Sequence, residues 1–211
     1  ASCKDFLTWT VAKTKMSDFQ YHRFASFSTL LLGTILNLIA TGSNSWQGIE
    51  DGINFGLWNV CFQIHAIKQW TCAAWEVLPD FIRSAQAFCI IGQLCYIVSA
   101  VLLLFSFFVR ALQRSKVVLI VLSLLTFSAA CLVSMTVVIM GVKGKDYIYS
   151  MKSDTELIFR YFLKGVVLSG LYEIGWSMIV AMVASLVTFI AFLVCFFEYR
   201  DITEEPRPTR V

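Results

Sequence analysis

Residues 117–142 read VVLIVLSLLTFSAACLVSMTVVIMGV, 26 residues without an Asp, Glu, Lys or Arg. A helix needs about 20 apolar residues to cross the hydrocarbon layer, at about 1.5 Å rise per residue. This stretch is apolar nearly all round, so a helix built from it has no face suited to water. Residues 24–48, 84–109 and 174–197 are charge-free as well, and each of the four windows is 24 to 26 residues long. In lipid, backbone polar groups must bond within their own segment, which makes these windows helices. Buried helices of soluble proteins are shorter and interrupted by charge, so a greasy soluble bundle is disfavoured. A membrane barrel would show period-2 alternation, and these windows do not. A hydrophobic fraction of 58% leaves little sequence for a water-soluble core. The expected fold is all-α membrane: a left-handed four-helix transmembrane bundle with a small extracellular antiparallel β-sheet.

The spans are expected at residues 24–46, 84–109, 117–141 and 172–197, within a four-span domain of 24–197. A cytoplasmic N-terminal segment (1–23) precedes it and a cytoplasmic tail (198–211) follows. The first window is the most polar, with Thr34, Asn37, Thr41 and Asn44, so its apolar heart is 24–40. Residues 1–23 contain Lys4, Lys13, Lys15 and Arg23 but no compact apolar run. They do not read as a cleavable signal, and the first span is expected to direct insertion itself.

Four spans put both termini on one side. Lys and Arg number ten in the segments assigned inside and seven in the two longer outer loops. The inner connection is the clearest case, with Arg110, Arg114 and Lys116 and no acid. The positive-inside rule therefore favours cytoplasmic termini. The outer loops are then 47–83 and 143–173. Turn signals at Asp51-Gly52 and Asn54 suggest a small antiparallel sheet in the first. The second opens on a Gly-rich basic turn at residues 141–145. Its apolar stretch at 162–171 implies an early start to the fourth helix or a short interfacial helix.

Of seven cysteines, only Cys61 and Cys72 fall in an outer loop. That compartment is oxidising, which favours a disulfide over two separate thiols. Cys89, Cys95 and Cys131 lie in spans, where cysteine is usually a small apolar side chain. Cys195, near the inner end of the last span, is a palmitoylation candidate, with packing the commoner role.

The order Trp46, then Gly56-Leu57-Trp58, then Cys61 and Cys72 resembles the W…GLW…C…C pattern of the claudin superfamily. That superfamily includes claudins, epithelial membrane proteins, peripheral myelin protein and the calcium-channel gamma or AMPA-receptor auxiliary subunits. Residues 83–88 (RSAQAF) and 172–176 (YEIGW) resemble the entries to its second and fourth spans. The resemblance covers residues 24–197. It implies a fold-holding role for Trp46, Gly56, Leu57, Trp58 and Arg83, with Cys61 and Cys72 stapling neighbouring strands. Trp46 is expected at the membrane interface, which tryptophan favours, and Leu57 and Trp58 are expected to tuck the sheet onto the lipid boundary. The first outer loop, 47–83, is short for a claudin and closer to the epithelial membrane and myelin types.

Catalytic material is sparse. The two histidines, His22 and His65, fall on opposite sides. No metal-ligand spacing or phosphate loop occurs, and no ionisable residue lies inside a window to serve a proton or ion relay. Basic residues do not cluster with aromatics, so nucleic-acid binding has no support. No enzyme activity, cofactor or metal is expected. Asn37 and Gln93 are expected to hydrogen-bond across helices. Small residues on the third span (Ser128, Ala129, Ala130, Ser134) and the fourth (Ala181, Ala184, Ser185) suit close helix packing.

The chain ends Pro206-Arg207-Pro208-Thr209-Arg210-Val211, where Thr209 and Val211 fit the pattern read by PDZ domains. The first functional expectation is a non-enzymatic plasma-membrane protein organising cell–cell contacts or membrane assemblies through its outer loops, with a PDZ scaffold at the tail. Phe55, Phe62, Ile64 and Trp70 are the candidate contacts with other membrane proteins. In a pore-forming version, Glu50, Asp51, Glu76 and Asp80 against Lys68 and Arg83 would favour cations. The alternative is an auxiliary subunit of a channel or receptor, packing its third and fourth spans on the partner.

Overall fold

The computed structural model describes residues 3–49, 52–64, 69–75, 78–109, 112, 115–153 and 171–204. Helix α1 (Cys3–Gly42) leads into four strands, β1 (Gln47–Ile49), β2 (Ile53–Phe55), β3 (Asn59–Ile64) and β4 (Gln69–Ala74). Helices α2 (Asp80–Phe108) and α3 (Lys116–Ile139) follow. A π-helical turn (Met140–Gly144) then passes into α4 (Lys145–Ser153). Strand β5 (Tyr172–Ile174) precedes the last helix, α5 (Trp176–Glu204). Among the described residues four helices are long and apolar enough to cross a membrane.

Polarity in the bundle is inverted relative to a soluble protein. Leu94, Leu124 and Leu186 point outward, each more than half exposed, while Ser26, Asn37, Ser99, Thr126, Thr136 and Thr188 are buried. Soluble chains rarely present a continuous apolar surface on this scale. Lipid is the solvent that fits such a girdle, and the four helices form a membrane bundle.

Packing runs from α1 to α5, α5 to α3 and α3 to α2, with a lighter contact between α1 and α2. Small residues set the close approaches. Any side chain at Gly33 would meet Thr188 Oγ1 at 2.6 Å, so glycine is required where α1 crosses α5. Between α3 and α5, Ala129, Ala130, Ala181 and Ala184 are buried, and the Ser134 and Ser185 hydroxyls lie 2.6 Å apart. Ser128 instead faces lipid. Polar bridges lock the register: Asn37 Nδ2 donates to Gln93 Oε1 at 2.8 Å, and the Tyr96 and Thr188 hydroxyls meet at 2.5 Å.

The helix limits differ from the expected spans. With no glycine or proline before Gly33, nothing interrupts α1, which runs as one 40-residue helix across the boundary set at residue 23. It stops at Gly42 rather than 46. The fourth span begins at Trp176, not 172, because residues 172–174 join the sheet. The stretch 162–170 lies outside the described residues.

The turn expected at residues 141–145 is instead helical. A π turn widens the helix there and displaces its backbone bonding from the i−4 pattern. The Gln47 side chain, fully buried, donates from Nε2 to the Met140 carbonyl within this turn. A side chain at Gly144 would collide with the Gln47 amide. Glycine is therefore needed for close approach, not for a chain reversal. Gln47→Ala is expected to delete this buried hydrogen bond and to cost about 1 kcal/mol. Thermal unfolding in mild detergent measures this, and a wild-type midpoint would remove Gln47 from the account.

At the opposite end from the sheet, Arg23 Nε donates to Glu198 Oε1 at 2.8 Å. Both side chains are only 4% exposed. This buried pair joins α1 to α5, and the charge-free windows did not anticipate it.

The five strands form one antiparallel, unclosed sheet in the order β4-β3-β2-β1-β5. Its register sets Cys61 opposite Cys72 and Gln63 opposite Trp70. Alternation along the strands puts Ile49, Ile53, Phe55 and Val60 on one face, where they form a small core of their own with Ile148 of α4. The sheet thus has its own hydrophobic support beside the bundle.

Candidate functional site

The sheet is the part of the molecule that leaves the girdle, and its attachment starts at the end of α1. The last carbonyls of a helix lack intrahelical partners. Two tryptophans supply them here. Trp46 Nε1 donates to the Ala40 carbonyl at 2.8 Å, and Trp58 Nε1 donates to the Thr41 carbonyl at 2.9 Å. Trp46 is 1% exposed, so it holds the junction from inside the fold rather than as an ordinary interfacial anchor. Its indole fills the junction between helix and sheet because its N–H is needed at the helix end. Trp58 and Trp176 are the tryptophans that remain partly exposed at this boundary.

The residues around the two indoles fix the chain's path. Gly56 N donates to the Asn59 carbonyl at 2.9 Å, closing the β2–β3 connection. A side chain at Gly56 would meet the Asn44 backbone at 2.7 Å, so the glycine allows two backbones to touch. Leu57 is fully buried in the bundle core, rather than lying on the lipid boundary, and its carbonyl accepts from Gln86 Nε2 of α2 at 2.7 Å. Arg83 is different. Its side chain is mostly exposed, with a 3.8 Å approach to Asp80, a surface pair of little energetic weight.

Cys61 and Cys72 form a disulfide between β3 and β4, covalently fixing β4 to the sheet. Cys195 is a free thiol buried completely within the bundle. That burial argues against its candidacy for palmitoylation, which needs an accessible sulfur. Cys89 is buried too, and Cys131 faces outward from the third span.

The four contact candidates separate by sheet face. Phe55 is buried and stacks on Trp75, ring centroids 5.6 Å apart, so it is core and not a partner contact. Phe62 packs against the same cluster. Ile64 shares its face by alternation and is half-buried. Trp70 lies on the opposite face and is 43% exposed. The inner face is closed by α4, which reads as loop in the sequence, and this is what removes Phe55; Phe62 stays half-buried. Glu50, Asp51, Lys68, Glu76, Thr209 and Val211 lie outside the described residues.

Several residues that hold the cap were not singled out from sequence. Gly175 N donates to the Trp46 carbonyl at 2.9 Å, and a side chain there would strike the Ser45 carbonyl. Ser177 Oγ donates to Ser43 Oγ at 2.7 Å. Burial, and then the neighbouring Tyr149 phenol, push the Tyr172 hydroxyl above its ordinary pKa, so it stays neutral. Gly175 and Trp176 were legible only as part of the fourth-span entry.

What protrudes is β4. All six of its residues, Gln69 to Ala74, are exposed, and it stands at the end of the strand order. It carries no charge and no proline. Among the described residues, no three His, Cys, Asp or Glu side chains are grouped to hold a metal. The chemistry this arrangement offers is backbone pairing along an open edge, with an indole beside it. No family model and no curated protein matches this chain. Four long apolar helices, a small antiparallel sheet and a loop disulfide form a tetraspan architecture consistent with a claudin-like arrangement.

Proposed function

We propose that this protein is a non-enzymatic membrane organiser that assembles through the edge of its outer sheet. The observation that carries the reading is the state of β4: exposed along its whole length, uncharged, at the sheet edge, and tied to β3 by the Cys61–Cys72 disulfide. Unpaired edges are templates for another strand, and proteins that avoid such pairing place charge or proline there. β4 has neither, and Trp70 adds an exposed aromatic anchor of the type enriched at interfaces. The sheet faces the cell exterior at the plasma membrane, both termini are cytoplasmic, and Thr209 and Val211 offer the tail to a PDZ scaffold. A neighbouring copy or a copy on an apposed cell pairs with the edge. In the alternative, an auxiliary subunit presents the same edge to the ectodomain of a channel or receptor.

Putting a charge on the edge tests this. The wild-type chain, expressed in cells that lack such contacts, is expected to concentrate at cell–cell boundaries and to cross-link as oligomers. Thr71→Lys is expected to abolish both while the disulfide still forms. A stoichiometric channel or receptor co-purifying in mild detergent, its capture lost in Thr71→Lys, would move the reading to the auxiliary subunit. Oligomers undiminished by Thr71→Lys would remove β4 from the mechanism.

A further inference from the structure

Strand β4 runs toward the membrane. Trp58 Nε1 reaches the Thr41 carbonyl at the end of α1, and Asn59 Nδ2 donates to Asn44 Oδ1 at 3.4 Å. The start of β3 therefore lies beside the helix end. Ala74 stands opposite Asn59, and Gln69 stands opposite Ile64 at the far tip. The last residue of β4 is thus the one nearest the bilayer, and α2 begins soon after, at Asp80.

The register also shows which main-chain groups of β4 face outward. Gly56 N donates to the Asn59 carbonyl and Gln63 N to the Gly52 carbonyl, both at 2.9 Å. These groups alternate in direction along a strand. Asn59, Cys61 and Gln63 therefore turn theirs toward β2, and Val60, Phe62 and Ile64 turn theirs toward β4. The residues opposite, Ala73, Thr71 and Gln69, point back at them. Trp70, Cys72 and Ala74 direct their N–H and C=O groups to the open side of the sheet.

A second copy of this strand, reversed, matches those groups. Place Cys72 opposite Cys72 of the second copy. Trp70 then meets Ala74 of that copy, Ala74 meets Trp70, and each of these pairs exchanges both backbone bonds. Moving the centre to Thr71 or Ala73 leaves one outward residue without a partner inside the strand. The register centred on Cys72 also sets each indole against an alanine, which leaves the ring room. Charge agrees with the backbone. In the sequence, Lys68 precedes Cys72 by four residues and Glu76 follows it by four. Reversal brings opposite charges together at both ends, whereas two copies running the same way bring like onto like.

Copies in one bilayer are related by rotation about its normal, which leaves the direction of β4 unchanged. Along this edge they meet in parallel. A reversed copy comes from a facing membrane. We infer that β4 is a homophilic adhesion edge, pairing antiparallel with β4 of a copy in the apposed membrane, in the register centred on Cys72. This rests on the reading of β4 as the assembly edge and adds its partner, direction and register.

The test uses two differently tagged populations of cells that lack contacts of their own. Each expresses the full chain, and surface delivery and the Cys61–Cys72 disulfide are checked for every variant. Wild-type cells are expected to cluster. Lys68→Glu cells and Glu76→Lys cells should each cluster with themselves about tenfold less, because both ends of the contact turn from attraction to repulsion. Mixed, the two variants should cluster with each other at the wild-type level, which also shows that both are folded. Thr71→Cys on one population and Ala73→Cys on the other should cross-link between cells, since these positions form the closely spaced pairs beside the centre. Self-clustering of both charge variants at the wild-type level, or no recovery in the mixture, would overturn the inference. So would Thr71→Cys linking to itself in dispersed cells, the mark of parallel pairing within one membrane, but that result leaves β4 as the assembly edge. Clustering and oligomers undiminished by Thr71→Lys would remove both that reading and this inference.

Discussion

Glu198→Ala is expected to destabilise the protein by about 3–5 kcal/mol, the cost of leaving one member of a buried ion pair without the other. Arg23 and Glu198 meet at 2.8 Å with side chains 4% exposed, and they join the first helix to the last. Removing the carboxylate leaves a guanidinium between helices where water is scarce. The pair as a whole is not expected to be worth that much, because desolvating two charges offsets most of their attraction. The double substitution Arg23→Met with Glu198→Leu should therefore recover most of the loss. Thermal unfolding in mild detergent, followed by tryptophan fluorescence, measures both. A loss under about 1 kcal/mol for Glu198→Ala, the value of an exposed pair, would show that water reaches this site.

Cys61→Ser together with Cys72→Ser is expected to remove about 3 kcal/mol from the sheet, in the chain-entropy account of a short closed loop. The effect should be largely local, because the sheet has its own small core around Ile53, Phe55 and Ile148, joined to the bundle core through Trp75. Amide exchange across residues 59–64 and 69–74 should accelerate strongly while helical circular dichroism stays at the wild-type level. Edge-mediated assembly should fall with it, since β4 would no longer be held flat. Unchanged exchange in these two strands would show that hydrogen bonding alone fixes β4.

The membrane bundle was legible because four charge-free windows leave the helix as the one way to satisfy the backbone in lipid. The Cys61–Cys72 pairing was legible because only those two cysteines share a compartment, and the Asn37–Gln93 bond because both amides sit inside apolar windows, where an unpaired amide is costly. The buried pair was missed for a simple reason: Arg23 and Glu198 are the charged residues that bound two of the windows from outside. A search for charge within spans stops one residue short of both. The π turn was missed because Gly141 and Gly144 read as chain breakers. In the fold, Gly144 is a contact surface for Gln47, and that reason lies 97 positions away along the chain. Phe55 was misassigned because a three-residue strand is too short for alternation to show which face is covered. The covering element, α4, looked like loop. Trp46 has an interfacial composition and position, but its N–H has a closer use on the Ala40 carbonyl.

The proposed function requires one end of the bundle to carry the sheet outside the cell and the other to lie in the cytoplasm, with lipid between. Two added cysteines test it in a Cys3→Ser background, with the disulfide and the span cysteines kept: Glu173→Cys on β5 and Thr203→Cys near the end of α5, both at exposed positions. Intact cells are treated with a membrane-impermeant maleimide. Glu173→Cys is expected to label at once and Thr203→Cys only after permeabilisation. Labelling of both reporters in intact cells, or of Thr203→Cys alone, would contradict it.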